Sequence, residues 1–198
     1  MTHIYFVRHA QPDHSWEDDR SRPLTEEGLY DSKRVTEALK DIALDYAISS
    51  PYHRSMETIR ECVESKGLTI VTDDRLRERK AGQNSNNMNM FRKRWEDLEF
   101  HEEEGESIGM VQRRNIEVMK DLLHTHQGES IIVGTHGTAL SSILNYYNSN
   151  FNCDSFLRII DYMPYVIRLD FEDLECIGIE EILIIEKVFN GNKKQMKI

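Results

Sequence analysis

Five side chains of types that can do phosphate chemistry follow short apolar runs in this sequence: Arg8, His9, Arg54, Glu78 and His136. An arginine guanidinium can hold phosphate oxygens bidentately, and it stays charged at any working pH. A neutral imidazole can attack phosphorus, and a carboxylic acid can protonate a leaving oxygen. Together, these residue types predict a phosphate site that contains a nucleophile and an acid.

The apolar runs predict the strands that position these side chains. They span 4–7, 46–48, 68–71 and 130–133, and each leads into polar or charged residues. Between them, apolar residues recur with the spacing of amphipathic helices, as in Val35, Ala38, Leu39 and Ile42. Alternating strands and helices predict an α/β fold with three layers, α/β/α, around a mostly parallel sheet. Because ligands bind outside the carboxyl ends of such strands, we expect the five side chains to converge there.

Local signals refine this outline. Thr25 is suited to cap a first helix, and further helices are predicted after Arg54, near Ser107 and after His136. Beyond Pro164, the runs 165–169 and 176–179 predict a hairpin at the edge of the sheet. The segment at about 79–105 is polar and irregular, so we expect an insertion or lid over the site within a single domain that covers 1–198. The tail, Asn190 to Ile198, is polar and basic, and we expect it to be frayed.

Composition restricts the partners and the compartment. The net charge of −10 argues against nucleic acid and anionic membranes, whereas a local arginine cluster can still bind a small anion. The start, Met1-Thr2-His3, leads directly into a predicted strand without a signal peptide, and no apolar run is long enough to span a bilayer. Three cysteines without CxxC spacing favour neither disulfides nor a zinc site. We therefore expect a cytoplasmic protein with a small-molecule partner.

Five short motifs occur in the order seen in the histidine phosphatase superfamily, which this chain resembles from residue 4 to about residue 170. They are Arg8-His9-Ala10, Ser49-Ser50-Pro51 with Arg54, Ser55 and Thr58, Leu76-x-Glu78, Gly105-Glu106-Ser107, and Thr135-His136-Gly137. Each motif is weak alone, but all five in this order are highly specific. The family includes the cofactor-dependent phosphoglycerate mutases, so the resemblance implies a phosphoglycerate mutase-like fold.

The resemblance also implies a role for each side chain. His9 corresponds to the histidine that takes up the phosphoryl group, and Arg8 and Arg54 correspond to its clamps. His136 corresponds to the second family histidine, which hydrogen-bonds the phosphoryl group together with the neighbouring Gly137. Glu78 corresponds to the acid that protonates the leaving oxygen and then activates water. We expect no metal and no other cofactor, because the arginines and His136 supply the positive charge and hydrogen bonds.

The chain departs from the family pattern just after the first motif. Ala10 stands where family members usually have glycine, and Gln11, Pro12 and Ser15 replace the usual Glu-Thr continuation and its asparagine. One expected phosphate contact is lost with the asparagine. We expect Ser15 or Gln11 to replace that contact only in part.

These departures favour a phosphatase, namely a metal-independent phosphomonoesterase that hydrolyses a small phosphorylated metabolite through a phosphohistidine. Mutases of the family keep the lost continuation, and their insertion is longer than the 57 residues between Glu78 and His136. The alternatives are a phosphoglycerate mutase-type isomerase and a non-catalytic relative that binds a phosphorylated ligand. Pure binding requires no acid, so Glu78 argues against the second alternative.

Three further segments have plain structural interpretations. Arg92-Lys93-Arg94 is expected to be a solvated helix face, with a basic lid that recognises a second anionic group as the alternative. Glu102-Glu103-Glu104 is expected to be ordinary surface. Ser49-Ser50-Pro51 is expected to form a turn that aims Arg54.

Overall fold

Six strands form one mixed sheet in the computed structural model of the protein, which describes residues 1–187. The strand order is β3-β2-β4-β1-β5-β6. The first four strands in this order run parallel to one another: β1 (Thr2–Arg8), β2 (Tyr46–Ser49), β3 (Val71–Thr72) and β4 (Ser130–Thr135). The antiparallel strands β5 (Tyr162–Glu172) and β6 (Glu175–Glu186) complete the sheet as a hairpin at its edge.

Six helices cover the two faces of the sheet: α1 (Glu26–Ala38), α2 (His53–Ser65), α3 (Met88–Glu96), α4 (Ile108–Thr125), α5 (Gly137–Tyr147) and α6 (Cys153–Ile159). Successive side chains of a strand point to opposite faces. In β1, Tyr5 and Val7 therefore pack with α1 and α2, whereas Ile4 and Phe6 join the core formed with the other four helices. These three layers confirm the predicted α/β/α architecture.

Helix starts follow the predicted capping signals. The Thr25 side chain accepts a hydrogen bond from the Gly28 N–H at the start of α1. The Ser107 side chain accepts one from the Met110 N–H at the start of α4. The predicted edge hairpin is also present, with longer strands than expected. By contrast, the predicted strand at 68–71 is reduced to the two exposed residues of β3.

The segment at 79–105 is more ordered than its composition indicates. It contains helix α3, whose Phe91 and Trp95 pack against Phe156 of α6 with ring centroids 5.8 and 5.7 Å apart. The prediction of an irregular segment was therefore wrong in part, because two aromatic side chains anchor it to the core. The expected frayed tail, Asn190 to Ile198, lies outside the described residues.

The cysteines and the helix lengths can be compared with the expectations from the sequence. Cys62, Cys153 and Cys176 are all unpaired. Within residues 1–187, no helix has both the length and the apolar character needed to cross a membrane.

Candidate active site

The parallel strands deliver their carboxyl ends to one edge of the sheet. Arg8 at the end of β1 pairs with Thr135 at the end of β4, and Ser49 at the end of β2 pairs with Gly134. A polar cavity of about 850 Å³ opens at this edge, and Arg8, His9, Arg54 and Glu78 line it. Four of the five side chains that the sequence indicates thus line one cavity at the expected edge, whereas His136 is buried beside His9 and does not line it.

His9 is held as a neutral imidazole with a defined tautomer. Its Nδ1 lies 2.7 Å from the carbonyl oxygen of Ala10, and a carbonyl only accepts, so Nδ1 carries the proton. Burial, followed by the positive charges of Arg54 and Arg8, lowers the pKa of His9 well below its ordinary value. The Nε2 atom therefore keeps its lone pair at neutral pH, as a nucleophile requires.

Arg8 is a buried cation with spare hydrogen-bonding capacity. One guanidinium nitrogen donates to the Ile159 carbonyl at 2.7 Å, whereas the buried Nε has no partner within the described residues. Burial lowers the pKa of Arg8 to about 10, so the side chain remains charged at neutral pH. A Cβ at Gly137 would lie 3.2 Å from the guanidinium, so glycine leaves the room that Arg8 occupies.

Arg54 comes from the first turn of α2, and its orientation is fixed from two sides. Its guanidinium donates to the carbonyl oxygen of Asp19 at 2.5 Å and lies 3.2 Å from the Asp19 carboxylate. The Tyr52 ring lies below it, with 5.0 Å between the guanidinium carbon and the ring centroid. Burial is the main cause of the lowered pKa of Arg54. A clamp held this firmly loses little entropy when it binds an anion.

His136 is completely buried beside His9, with 5.2 Å between the ring centroids. Its Nε2 lies 2.8 Å from the Ser50 hydroxyl, which already accepts a hydrogen bond from the Tyr52 N–H. The Ser50 hydroxyl can therefore donate a hydrogen bond to Nε2, and the single proton of the neutral imidazole then lies on Nδ1. That Nδ1 has no hydrogen-bond partner within residues 1–187. Burial and the charge of Arg54 lower the pKa of His136 well below its ordinary value.

Glu78 reaches the cavity from the opposite wall. Its carboxylate accepts hydrogen bonds from the N–H groups of Thr138 and Ala139, each at 3.1 Å, and from the N–H of Arg79 at 2.7 Å. Two of these donors belong to the first turn of α5, whose N–H groups have no acceptor within the helix. Helix α5, which begins after His136, thus also orients Glu78.

Arg114 of helix α4 fixes the chain segment that carries Glu78. Its guanidinium donates to the carbonyl oxygens of Arg75, Arg77 and Glu78 at 2.6, 2.7 and 3.1 Å. It also pairs with the Glu106 carboxylate at 3.0 Å. The pair with Glu106 gives the motif Gly105-Glu106-Ser107 a structural role: its glutamate holds Arg114, which in turn holds the segment that carries Glu78.

The two charged runs of the 79–105 segment require corrections. Arg94 is buried rather than solvated, and it pairs with Glu102, which is buried rather than on the surface. Glu102 also lies 3.3 Å from the buried Arg79. Isolated charges are costly to bury, so the two arginines require the shared carboxylate. Arg92 and Lys93 are exposed as expected, and neither lines the cavity.

The structure does not bring Gln11 and Ser15 to the cavity. The Gln11 side-chain oxygen accepts a hydrogen bond from the Thr25 hydroxyl at 2.9 Å, and the exposed Ser15 hydroxyl donates to Asp13 at 2.6 Å. Both side chains stabilise the loop that joins β1 to α1. Gly137 lies behind Arg8 instead of on the cavity wall.

Sequence reasoning missed several residues that support the site. Ser50, expected only to shape a turn, is the hydrogen-bond partner of His136. Asp19 and Tyr52 orient Arg54, and Arg114 holds the Glu78 segment. The position of Tyr52 two residues before Arg54 is a weak signal, whereas the roles of Asp19 and Arg114 have no local signal because they act across long sequence separations.

Within residues 1–187, no three or more His, Cys, Asp or Glu side chains are grouped so that they could hold a metal ion. The positive charge of the cavity comes from arginine and lysine side chains.

Comparison with solved structures shows the fold independently. A mycobacterial glucosyl-3-phosphoglycerate phosphatase superposes with a TM-score of 0.73 at 17% identity, over 93% of this chain and 99% of that chain. A phosphoserine phosphatase from Entamoeba histolytica gives a TM-score of 0.75 at 16% identity, over 96% and 98% of the two chains. Both likenesses support the phosphoglycerate mutase-like α/β fold.

Sequence comparison gives the family. A probable phosphoglycerate mutase, GpmB, of Yersinia pestis is 27% identical over 161 residues, which cover 73% of this chain and 74% of that protein. The family model of the histidine phosphatase superfamily (branch 1) matches residues 4–174, most of the chain and all five motifs. With this match and the convergence of the motif side chains at one sheet edge, the chain belongs to the histidine phosphatase superfamily.

Proposed function

We propose that the protein is a metal-independent phosphomonoesterase that hydrolyses a small phosphorylated metabolite through a phosphohistidine at His9. The observation that carries this proposal is the neutral His9 imidazole, protonated on Nδ1 by its contact with Ala10 and placed between two arginines. A pure binding site requires neither a poised nucleophile nor the opposing carboxyl group of Glu78.

In the first step, His9 Nε2 attacks phosphorus while the bond from phosphorus to the ester oxygen breaks. Arg8, Arg54 and the Nδ1–H of His136 stabilise the negative charge on the phosphoryl oxygens. The protonated Glu78 gives its proton to the leaving oxygen, so an alcohol departs. The product is a phosphohistidine and a Glu78 carboxylate.

In the second step, that carboxylate takes a proton from water as the water oxygen attacks phosphorus. The bond between phosphorus and Nε2 breaks, and inorganic phosphate is released. His9 returns to its neutral form and Glu78 to its protonated form. Preorganised hydrogen-bond donors lower the activation barrier of both steps, because few groups have to reorient around the developing charge.

The named relatives support a small phosphorylated substrate. Two of the similar structures are phosphatases, one solved with inorganic phosphate and the other with 3-phosphoglyceric acid. The Yersinia relative is a probable phosphoglycerate mutase, which keeps an isomerase as the second candidate. The departures at Gln11, Pro12 and Ser15 favour hydrolysis.

Product analysis tests the proposal directly. The purified protein is screened against about a hundred phosphorylated metabolites, and inorganic phosphate is measured with and without excess chelator. We expect phosphate as the main product, at rates that the chelator leaves unchanged. Efficient interconversion of 2- and 3-phosphoglycerate, stimulated by a bisphosphoglycerate, would establish the mutase instead, and a loss of activity that divalent ions restore would contradict metal independence.

A further inference from the structure

The wall of the cavity carries more cations than carboxylates. Besides Arg8 and Arg54, its wall carries five cations, Arg20, Arg22, Arg77, Arg79 and Lys80, against three carboxylates, Asp19, Asp74 and Glu78. The wall therefore has an excess of four positive charges. A phosphomonoester brings two negative charges with its phosphoryl group near neutral pH.

Carboxylates just outside the wall offset most of this excess. Arg77 shares Glu106 with Arg114, and Arg79 shares Glu102 with Arg94, so each added carboxylate comes with an added arginine. Asp161 acts on Arg8, Asp13 on Arg22 and Asp18 on Arg20, and these three carboxylates lower the excess to one. The net charge alone therefore does not call for a second anion, and the pairing of the individual cations decides which of them can bind one.

Lys80 differs from the other rim cations in its pairing. Arg20 lies 3.1 Å from Asp74, Arg22 lies 2.6 Å from Asp19, and Arg77 lies 2.7 Å from Glu106. Within residues 1–187, the exposed Lys80 ammonium has no carboxylate within ion-pair distance. A lysine ammonium with three donors on the wall of a cavity is therefore available to a ligand.

The backbone of Lys80 is nevertheless held firmly. Its N–H donates to the Glu106 carboxylate at 2.9 Å, and its carbonyl accepts from the Glu106 N–H at 3.0 Å. The Arg79 guanidinium donates to the same carbonyl at 3.2 Å. The free cation thus extends from a fixed point two residues after the acid Glu78, on the side of the cavity where the leaving group departs in the proposed reaction.

We infer that Lys80 is a specificity-determining residue that selects phosphomonoesters whose leaving group carries one further negative charge, such as a carboxylate. This inference rests on the proposed function and names the substrate class of the same site. It also moves the recognition of a second anion from Arg92-Lys93-Arg94, where the sequence placed it as an alternative, to a cation on the cavity wall.

Matched substrate pairs test the inference. The first pair is 3-phosphoglycerate and glycerol 3-phosphate, and the second is 2-phosphoglycolate and 2-hydroxyethyl phosphate; within each pair, a carboxylate replaces a hydroxymethyl group. We expect the wild type to favour the carboxylate member in kcat/KM by about tenfold or more, as a charged hydrogen bond allows. Lys80→Gln should abolish most of that preference, and Lys80→Glu should reverse it.

Lys93→Gln is the matched control because Lys93 is an exposed cation of the same segment outside the cavity. It should keep the wild-type preference. Phosphate release without any preference in the wild type, or a preference that survives Lys80→Gln, would overturn the inference and leave the phosphatase intact. Absence of phosphate release from every ester, p-nitrophenyl phosphate included, would instead contradict the proposed function and the inference with it.

Discussion

The two walls of the cavity are built by different means. On one wall, which we call the strand-end wall, Arg8 and His9 lie at the end of β1, with the buried His136 beside His9 after β4. Arg54 lies in the first turn of the helix that follows β2. On the other wall, which we call the acid wall, Glu78 and Lys80 belong to a segment without regular structure. Arg114, Glu106 and the buried group of Arg79, Arg94 and Glu102 hold this segment. Backbone pairing positions the first group, and charged side chains position the second.

This difference matters for the chemistry. The backbone of the strand-end wall gains rigidity from a ladder of main-chain hydrogen bonds, and side chains such as Tyr52 and Ser50 only orient Arg54 and His136 on it. The acid wall depends on a few buried ion pairs, and removing one member of such a pair is costly. We therefore expect substitutions on the first wall to affect mainly catalysis and several on the second wall to affect both structure and catalysis.

The largest effect is expected at His9, the proposed nucleophile. His9→Ala should lower kcat by about 10⁴-fold or more, because no other group can take up the phosphoryl group. It should also abolish the acid-labile, alkali-stable label that rapid quenching traps from radioactive substrate. His124→Ala, on the exposed face of α4, is the control and should keep both. Label that persists in His9→Ala but vanishes in His136→Ala would reverse the roles of the two histidines.

Glu78→Gln should cost about 10²–10⁴-fold in phosphohistidine formation from alkyl phosphates. Glutamine keeps the shape of the side chain but supplies no proton, and an alkoxide needs that proton to leave. A p-nitrophenolate leaves without it, so the loss should be much smaller for the aryl ester. Single-turnover kinetics separate this step from hydrolysis, with Glu103→Gln as the control. Equal losses for both esters, in a variant that melts like the wild type, would make Glu78 an electrostatic or structural residue.

Glu102→Gln should loosen the acid wall and leave the strand-end wall in place. It removes the one carboxylate that two buried arginines share, at a cost of about 3 kcal/mol. Amide hydrogen exchange in residues 79–106 should accelerate by about a hundredfold, while exchange in β1 and β4 stays slow. The neighbouring exposed Glu103→Gln should change neither. Unchanged exchange in Glu102→Gln would show that aromatic packing of α3 alone holds the segment.

The smallest effect is a pH dependence of stability that arises at the strand-end wall. Burial lowers the pKa of His136 well below 6.5, so on acidification the unfolded chain takes up a proton before the folded protein does. The free energy of unfolding should then fall by about 1.4 kcal/mol for this residue between pH 7.5 and 5.5. In urea titrations, His136→Asn should reduce the pH dependence by that amount, and His124→Asn should leave it unchanged. An equal pH dependence in the wild type and His136→Asn would mean that His136 is protonated in the folded state.

The sequence determined the strand-end wall because local patterns encode it. Apolar runs that end in Arg8-His9 and Thr135-His136 predict buried strands, and parallel strands necessarily present their carboxyl ends together. Thr25 and Ser107 mark helix starts because a cap acts within three residues of its partner. In these cases, the interacting residues lie close together in the chain, or the topology of the sheet brings them together.

Only the tertiary structure decided the composition of the acid wall. The pairs of Arg79 and Arg94 with Glu102 join residues 23 and 8 positions apart, and Arg114 reaches Glu78 across 36 positions. Runs such as Arg92-Lys93-Arg94 and Glu102-Glu103-Glu104 look like solvated surface, because charged residues are usually exposed. Arg94 and Glu102, one member of each run, are buried because folding pairs them with residues of opposite charge. No local sequence pattern predicts that pairing. The same reason distinguishes Lys80 from the arginines around it, because among residues 1–187 folding brings no carboxylate to its ammonium group.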